Sequence, residues 1–123
     1  MVTAATPAHG ELWHYLPTIA GREKPSSLGG DRVLIVSRTA ANAILPTVLA
    51  VPVELTPKMP GLAVPFSDAD PLPGLSAVVY RITPVYRPWL QDRIGVVSES
   101  TLRQVVGALV GLVAPDTVIS PER

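Results

Sequence analysis

The chain has 123 residues, 47% of them hydrophobic and 16% charged, which supplies one packed core and argues against a disordered chain. Lysine plus arginine balance aspartate plus glutamate at a net charge of zero, so nucleic-acid binding would need a local basic patch. Cysteine is absent and the histidines are His9 and His14 alone, which excludes disulfides and thiolate chemistry and argues against a zinc site built by the protein.

Met1 to His9 is small and polar and reads as a loose arm. Gly10 then opens Glu11 to Leu16, an aromatic-rich run that suits a first strand. Its faces, Glu11/Trp13/Tyr15 and Leu12/His14/Leu16, are both mixed, so parity does not pick the core side. Pro17 ends the strand. Thr18 to Asp31 is a long connection carrying Arg22, Glu23 and Lys24, the densest charge in the chain, and connections of this length tend to be functional. Arg32 to Ser37 contains Val33-Leu34-Ile35-Val36, which is too short for a helix and has no polar face. It reads as a strand covered on both sides.

Thr39 to Ala43 is sized for one helical turn before Pro46. Thr47 to Glu54 is the next strand, and Pro52 places it at an edge or at a bulge near its end. Leu62 to Phe66 is a short strand, and Ser67 to Gly74, rich in Asp, Pro and Gly, is a loop. Ser76 to Thr83 reads as a third strong strand, with Val78/Tyr80/Ile82 on one face, and Pro84 ends its ladder. A short turn is expected at Trp89 to Arg93 and a last strand at Ile94 to Val97. Ser98 is a good N-cap for a helix from Glu99 to Val113. Leu102, Val105, Val106, Leu109, Val110 and Val113 form one stripe, read as core, with Leu112 and its neighbours as a candidate dimer contact. Pro115 stops the helix. The expected organisation is an arm at 1–9, one domain at 10–114 and a frayed tail at 115–123.

These elements describe a mainly β fold, a small antiparallel barrel with a C-terminal amphipathic helix laid on it. No run of some eighteen apolar residues is present to span a membrane, and no charged-then-apolar leader marks secretion, so the expected location is the cytoplasm.

The order of several short stretches carries a family resemblance. Gly10-Glu11-Leu12-Trp13, Pro17-Thr18, Ala20-Gly21-Arg22-Glu23, Val33 to Ser37, Ala40, Asn42, Leu45-Pro46-Thr47-Val48 and Arg93-Ile94-Gly95 occur in this order. Together with the last helix they resemble the MazF/PemK toxins, from about Gly10 to Val113. The resemblance implies an SH3-like barrel that forms a homodimer and uses no cofactor or metal. It implies an endoribonuclease that cuts single-stranded RNA to 2′,3′-cyclic phosphate and 5′-hydroxyl ends, with a cognate antitoxin as protein partner. The RNA groove is implied to lie at the dimer interface beside the loop between the first two strands.

Such a reaction needs a base for the 2′-hydroxyl, an acid for the leaving oxygen and a cation on the phosphate. The family carries an arginine followed by proline just before the second strand; here Asp31-Arg32 stands in that place, so the arginine comes one residue late and faces the other way if register holds. The family's threonine position falls on Glu54, with Thr56 two residues on. Arg32 is thus a catalytic or phosphate group, or a solvated edge charge. Arg81 is a phosphate ligand or one half of a cross-strand ion pair. Glu54 is a general base or a strand-end charge, and His14 an acid or base or a satisfied strand histidine. Arg22 and Lys24 position phosphate or merely solubilise the loop, and Thr18, Thr56 and Thr83 are further candidate RNA contacts. The competing function is a non-catalytic member of the same fold that binds RNA or a partner, or a gyrase poison like CcdB. The tail Ser120-Pro121-Glu122-Arg123 lacks the terminal tryptophan of that branch.

Overall fold

The computed structural model describes residues 6–16, 18–19, 22–23, 32–55 and 62–114. In chain order these form β1 (Glu11–Tyr15), β2 (Thr18–Ile19), β3 (Arg22–Glu23), β4 (Arg32–Ile35), α1 (Thr39–Asn42), β5 (Thr47–Leu55), β6 (Ala63–Pro65), β7 (Leu75–Val78), β8 (Thr83–Tyr86), β9 (Leu90–Val96) and α2 (Glu99–Val113). Seven strands make one antiparallel sheet in the order β6-β7-β5-β4-β1-β9, with β8 also paired to β5, while β2 and β3 form a separate ribbon. The sheet does not close among the described residues, because β6 and β9 remain its edges.

The apolar run in β4 does what its composition implies. Leu34 joins a cluster with Leu12, Val51, Val53, Ala77 and Val105, on which α2 packs through Leu102 and Leu109. Val33 and Ile35, on the other face, join Tyr15, Val48, Ala50 and Val85 under Trp13, Trp89 and Leu90. Two apolar layers therefore share one strand, and β4 has no solvated face. The parity of β1 is settled by the same layers: Leu12 enters the first, Tyr15 the second.

The expected strand Ser76–Thr83 is interrupted. β7 stops at Val78, a 3-10 turn occupies Val79–Arg81, and β8 starts at Thr83. Both halves run along the same strand: Val53 pairs Ala77, whereas Ala50 pairs Thr83. Between those pairs only Val51 and Pro52 of β5 stand against Val78 to Ile82. Pro52 has no N–H for a ladder, and the break falls beside it. The proline lies within a central strand, paired with Val33 of β4, and the irregularity it was expected to mark sits in the neighbouring strand. Pro84 likewise does not end the ladder, since it pairs Leu49 inside β8. The later turn lies at Arg87–Trp89, around Pro88, so β9 begins at Leu90 rather than Ile94; proline's fixed φ suits the start of such a turn.

α2 runs over the expected residues. The Ser98 hydroxyl accepts from the Thr101 N–H at 3.2 Å, and Glu99 adds a negative charge in the first turn, where the helix dipole favours it. The stripe is core only toward its N-terminal half: Val105 is fully buried, but Val110 and Val113 are 57% and 80% exposed. The helix runs on past the sheet surface that would cover them.

The expected arm is tied down over Pro7–His9. Asn42 is buried and donates from Nδ2 to the Pro7 carbonyl at 2.8 Å and to that of Ser37 at 3.2 Å. The Ser37 hydroxyl donates to Asn42 Oδ1 at 2.5 Å and accepts from the Leu49 N–H at 3.0 Å. His9 donates through its N–H to Thr39 Oγ1 at 3.0 Å and through Nδ1 to the Val36 carbonyl at 3.1 Å. One buried amide thus fastens the N-terminal approach to the β4–β5 corner. Residues 1–5 and the tail at 115–123 lie outside the described residues.

The Ser67–Gly74 loop is fixed by Asp70. Its carboxylate accepts from Ser67 N–H (2.8 Å), Ser67 Oγ (3.1 Å), Ser98 N–H (2.6 Å) and Thr101 Oγ1 (2.6 Å). Burial by itself would raise the pKa of Asp70, but the donors from Ser98, Thr101 and Ser67 outweigh it and hold the group at about 2. The loop is thereby fastened to the first turn of α2. Pro71 of this loop in turn packs on Gly95, where an added Cβ would lie 2.8 Å from the Pro71 Cγ.

Candidate functional site

The register of the sheet places His14, Arg32 and Glu54 in two adjacent rows. His14 pairs Arg32 across β1 and β4. Val33 pairs Pro52, which puts Arg32 level with Val53, and Val53 pairs Ala77. Antiparallel partners share a face, so alternation puts His14 and Arg32 on the side of Leu12, Leu34 and Val53, beyond the end of that apolar layer. The late arginine thus faces away from Val33 and Ile35. The next row pairs Glu54 with Ser76, on the opposite face, and Ser76 is fully buried.

Glu54 and Arg81 meet. Arg81 Nη1 donates to Glu54 Oε2 at 2.9 Å, with side chains 31% and 26% exposed respectively. The contact follows from the interruption described above: the 3-10 turn carries Arg81 back over the end of β5 that β7 has just paired. A continuous strand would have carried Arg81 along β5, away from Glu54. Ile82 donates its N–H to the Val79 carbonyl at 3.2 Å and closes the turn. A guanidinium and a carboxylate, both open to solvent on one side, form a group that can bind an oxyanion and accept a proton.

The structure separates the remaining candidates. Thr83 is half-buried and pairs Ala50. Thr18 and Arg22 belong to the β2–β3 ribbon, where Thr18 pairs Glu23 and Ile19 pairs Arg22. Lys24 and Thr56 lie outside the described residues. Trp13 packs on the second apolar layer, and its Nε1–H donates to Glu11 Oε1 at 3.0 Å. Sequence reasoning did not single out Glu11 as a hub: it also accepts from the Ala8 N–H at 2.8 Å and from Arg93 Nη1 at 3.2 Å. Its position at the start of an aromatic strand was the one available signal. Asp70 was missed as well, although the spacing Ser67-x-x-Asp70 matches a side-chain-to-backbone turn. Burial raises the pKa of Tyr15, whose ring meets Trp89 edge-on at 6.1 Å. Among the described residues no group of His, Asp or Glu is arranged to hold a metal ion, and no helix is long and apolar enough to cross a membrane.

No protein-family model and no curated protein matches the chain. Solved structures do. An endoribonuclease from a Mycobacterial species is similar at a TM-score of 0.73 and 23% identity, covering 92% of this chain and 96% of that one. An endoribonuclease in complex with its cognate antitoxin, also Mycobacterial, matches at 0.70 and 25% identity over 89% and 97%. MazF in a MazE-MazF complex from Deinococcus radiodurans matches at 0.70 and 22% identity over 89% and 96%. The fold is that of the MazF endoribonuclease toxins, and it spans nearly the whole length of each.

Proposed function

We propose that this chain is the toxin of a type II toxin–antitoxin pair, an endoribonuclease that cuts single-stranded RNA and is neutralised by a cognate antitoxin. The observation that carries the reading is the match over nearly full length to endoribonucleases, one of them bound to its antitoxin. Such an enzyme acts where mRNA is, in the cytoplasm, as a homodimer.

The chemistry follows from the Glu54–Arg81 group. Arg81 holds the non-bridging oxygens of the scissile phosphate, and its fixed positive charge stabilises the extra negative charge of the pentacoordinate transition state. Glu54 takes the proton of the adjacent 2′-hydroxyl. The 2′-oxygen bonds to phosphorus, the bond from phosphorus to the 5′-oxygen breaks, and that oxygen takes a proton from water. The products are a 2′,3′-cyclic phosphate and a free 5′-hydroxyl, and no metal is required. His14 and Arg32, on the other face, serve RNA outside the scissile phosphate. Arg22 and Lys24 on the connection between β1 and β4 steer the strand electrostatically, with Thr18, Thr56 and Thr83 as neutral contacts.

The test is incubation of the purified protein with a long RNA in EDTA, followed by selective ligation to 5′-hydroxyl ends. Cleavage at one short shared sequence, lost in Arg81→Ala, is the expected result. A second reading, a non-catalytic binding protein of the same fold, is favoured by one observation: Arg81 already carries an anion, Glu54, at 2.9 Å. Intact RNA together with unchanged cellular toxicity in Arg81→Ala and Arg32→Ala would establish that reading instead.

A further inference from the structure

The contact that joins the proposed base to the proposed phosphate-binding arginine also occupies the site. Glu54 Oε2 stands 2.9 Å from Arg81 Nη1, the position a non-bridging phosphate oxygen would take in binding that nitrogen. Both partners are built into the sheet: Glu54 is in register with buried Ser76, and Arg81 sits on the turn that joins β7 to β8. The pair therefore spans 27 residues of sequence between two fixed backbones, unlike two long side chains meeting by chance on a surface. Each side chain keeps about a third or a quarter of its surface in water, 31% for Arg81 and 26% for Glu54, so an anion from solution can reach the guanidinium without unfolding anything.

We propose that Glu54 is a resident competitor for the RNA phosphate: it holds Arg81 in the free protein, and an arriving phosphodiester displaces it by anion exchange. This rests on the RNA-cutting reading above and adds its regulation. Two consequences follow from charge alone. Binding is weakened by the carboxylate that must be displaced, so an RNA is held only where its other contacts outweigh that cost. The displaced carboxylate, freed from the guanidinium, lies beside the phosphate it has yielded to, where the neighbouring 2′-hydroxyl presents its proton. Substrate binding thus releases the base. Removing the charge is expected to act in opposite directions on two readouts, tighter binding and slower cleavage, which a merely structural role for Glu54 would not produce.

The test uses a non-cleavable 2′-O-methyl RNA and fluorescence anisotropy at low salt on the full chain and on Glu54→Gln, Glu54→Ala, Arg81→Gln and the double variant Glu54→Gln/Arg81→Gln, each with its melting temperature measured. Glu54→Gln is expected to bind roughly two- to five-fold more tightly, the size of effect a partly exposed ion pair supports. The gain is expected to vanish in the double variant and at about 0.5 M salt, while cleavage of unmodified RNA by Glu54→Gln falls. Glu54→Ala repeats the measurement should the glutamine variant not fold. Wild-type protein that cleaves RNA while neither Glu54 variant binds more tightly overturns the competitor and leaves the function standing. A gain that persists without Arg81 also overturns it. RNA that is neither bound nor cut by wild type or by the Glu54 variants overturns both readings.

Discussion

Asp70→Asn tests the energetic account of this fold at one atom. The carboxylate lies 5% exposed in the loop between β6 and β7 and accepts four hydrogen bonds, two from Ser67 and one each from the Ser98 N–H and the Thr101 hydroxyl. Each oxygen meets a backbone N–H, Oδ1 that of Ser98 and Oδ2 that of Ser67. Whichever oxygen becomes an amide NH2 therefore points a donor at a donor that cannot rotate away. A buried group left in that state costs about 1–3 kcal/mol. The proton linkage of the same hydrogen bonds gives a figure of similar size. With the native pKa at about 2 against about 3.9 for an unperturbed aspartate, the ionised carboxylate contributes about 2 kcal/mol. Because the native pKa is the lower one, that contribution is fully present above pH ~4 and is lost as pH falls toward ~2.

Urea denaturation at fixed protein concentration is the assay. At pH 7 Asp70→Asn should lower the midpoint by roughly 1 M, for a slope near 1–3 kcal/mol per M. Repeated at descending pH, the gap between wild type and variant should close below pH ~4, since the wild type loses there what the variant never had. A variant with the wild-type midpoint at pH 7, or a gap that stays constant down to pH ~2, would refute the placement of a strongly accepting carboxylate between the loop and α2.

Three further outcomes are expected. Gly95→Ala drives a Cβ to 2.8 Å from the Pro71 ring; the ring is tied to backbone, so the loop must shift, at about 1–3 kcal/mol by thermal unfolding. Asn42→Ala leaves the Ser37 hydroxyl without its Oδ1 acceptor and the Pro7 carbonyl without its Nδ2 donor, and a loss of about 2 kcal/mol is expected, with earlier proteolytic cutting near residues 6–9 as the specific readout. Arg81→Ala should reduce RNA cleavage by roughly 100-fold or more, the usual effect of removing a transition-state donor, with the melting temperature changed little because the ion pair it breaks is partly exposed.

Much of the architecture was legible because its signals are local. Ser98 and the apolar spacing behind it define α2 within a few residues of chain, and the unbroken run Val33-Leu34-Ile35 requires cover on both faces wherever it packs. The order of short motifs from Gly10 to Gly95 pointed to the MazF fold that the solved structures display. Chain-local patterns do not carry register, however, and the candidate site is a matter of register. Val78, Tyr80 and Ile82 alternate as a strand should, yet the partner strand offers Pro52 beside them and the chain turns instead.

That turn brings Arg81 to Glu54 from 27 residues away, and no local propensity encodes it. The same holds for Asp70, whose turn-forming neighbours fix a loop but not the helix it grips, and for Asn42, where an unremarkable one-turn helix supplies the amide that fastens Pro7. Arg32 marks the boundary between the two kinds of information. The sequence placed it one residue late at the head of the organising strand; only its pairing with His14, level with Val53, fixed the face it occupies. Side-chain facing in a sheet is set by hydrogen-bond register between strands distant in the chain, so the sequence determined which groups are available and the tertiary structure decided which of them meet.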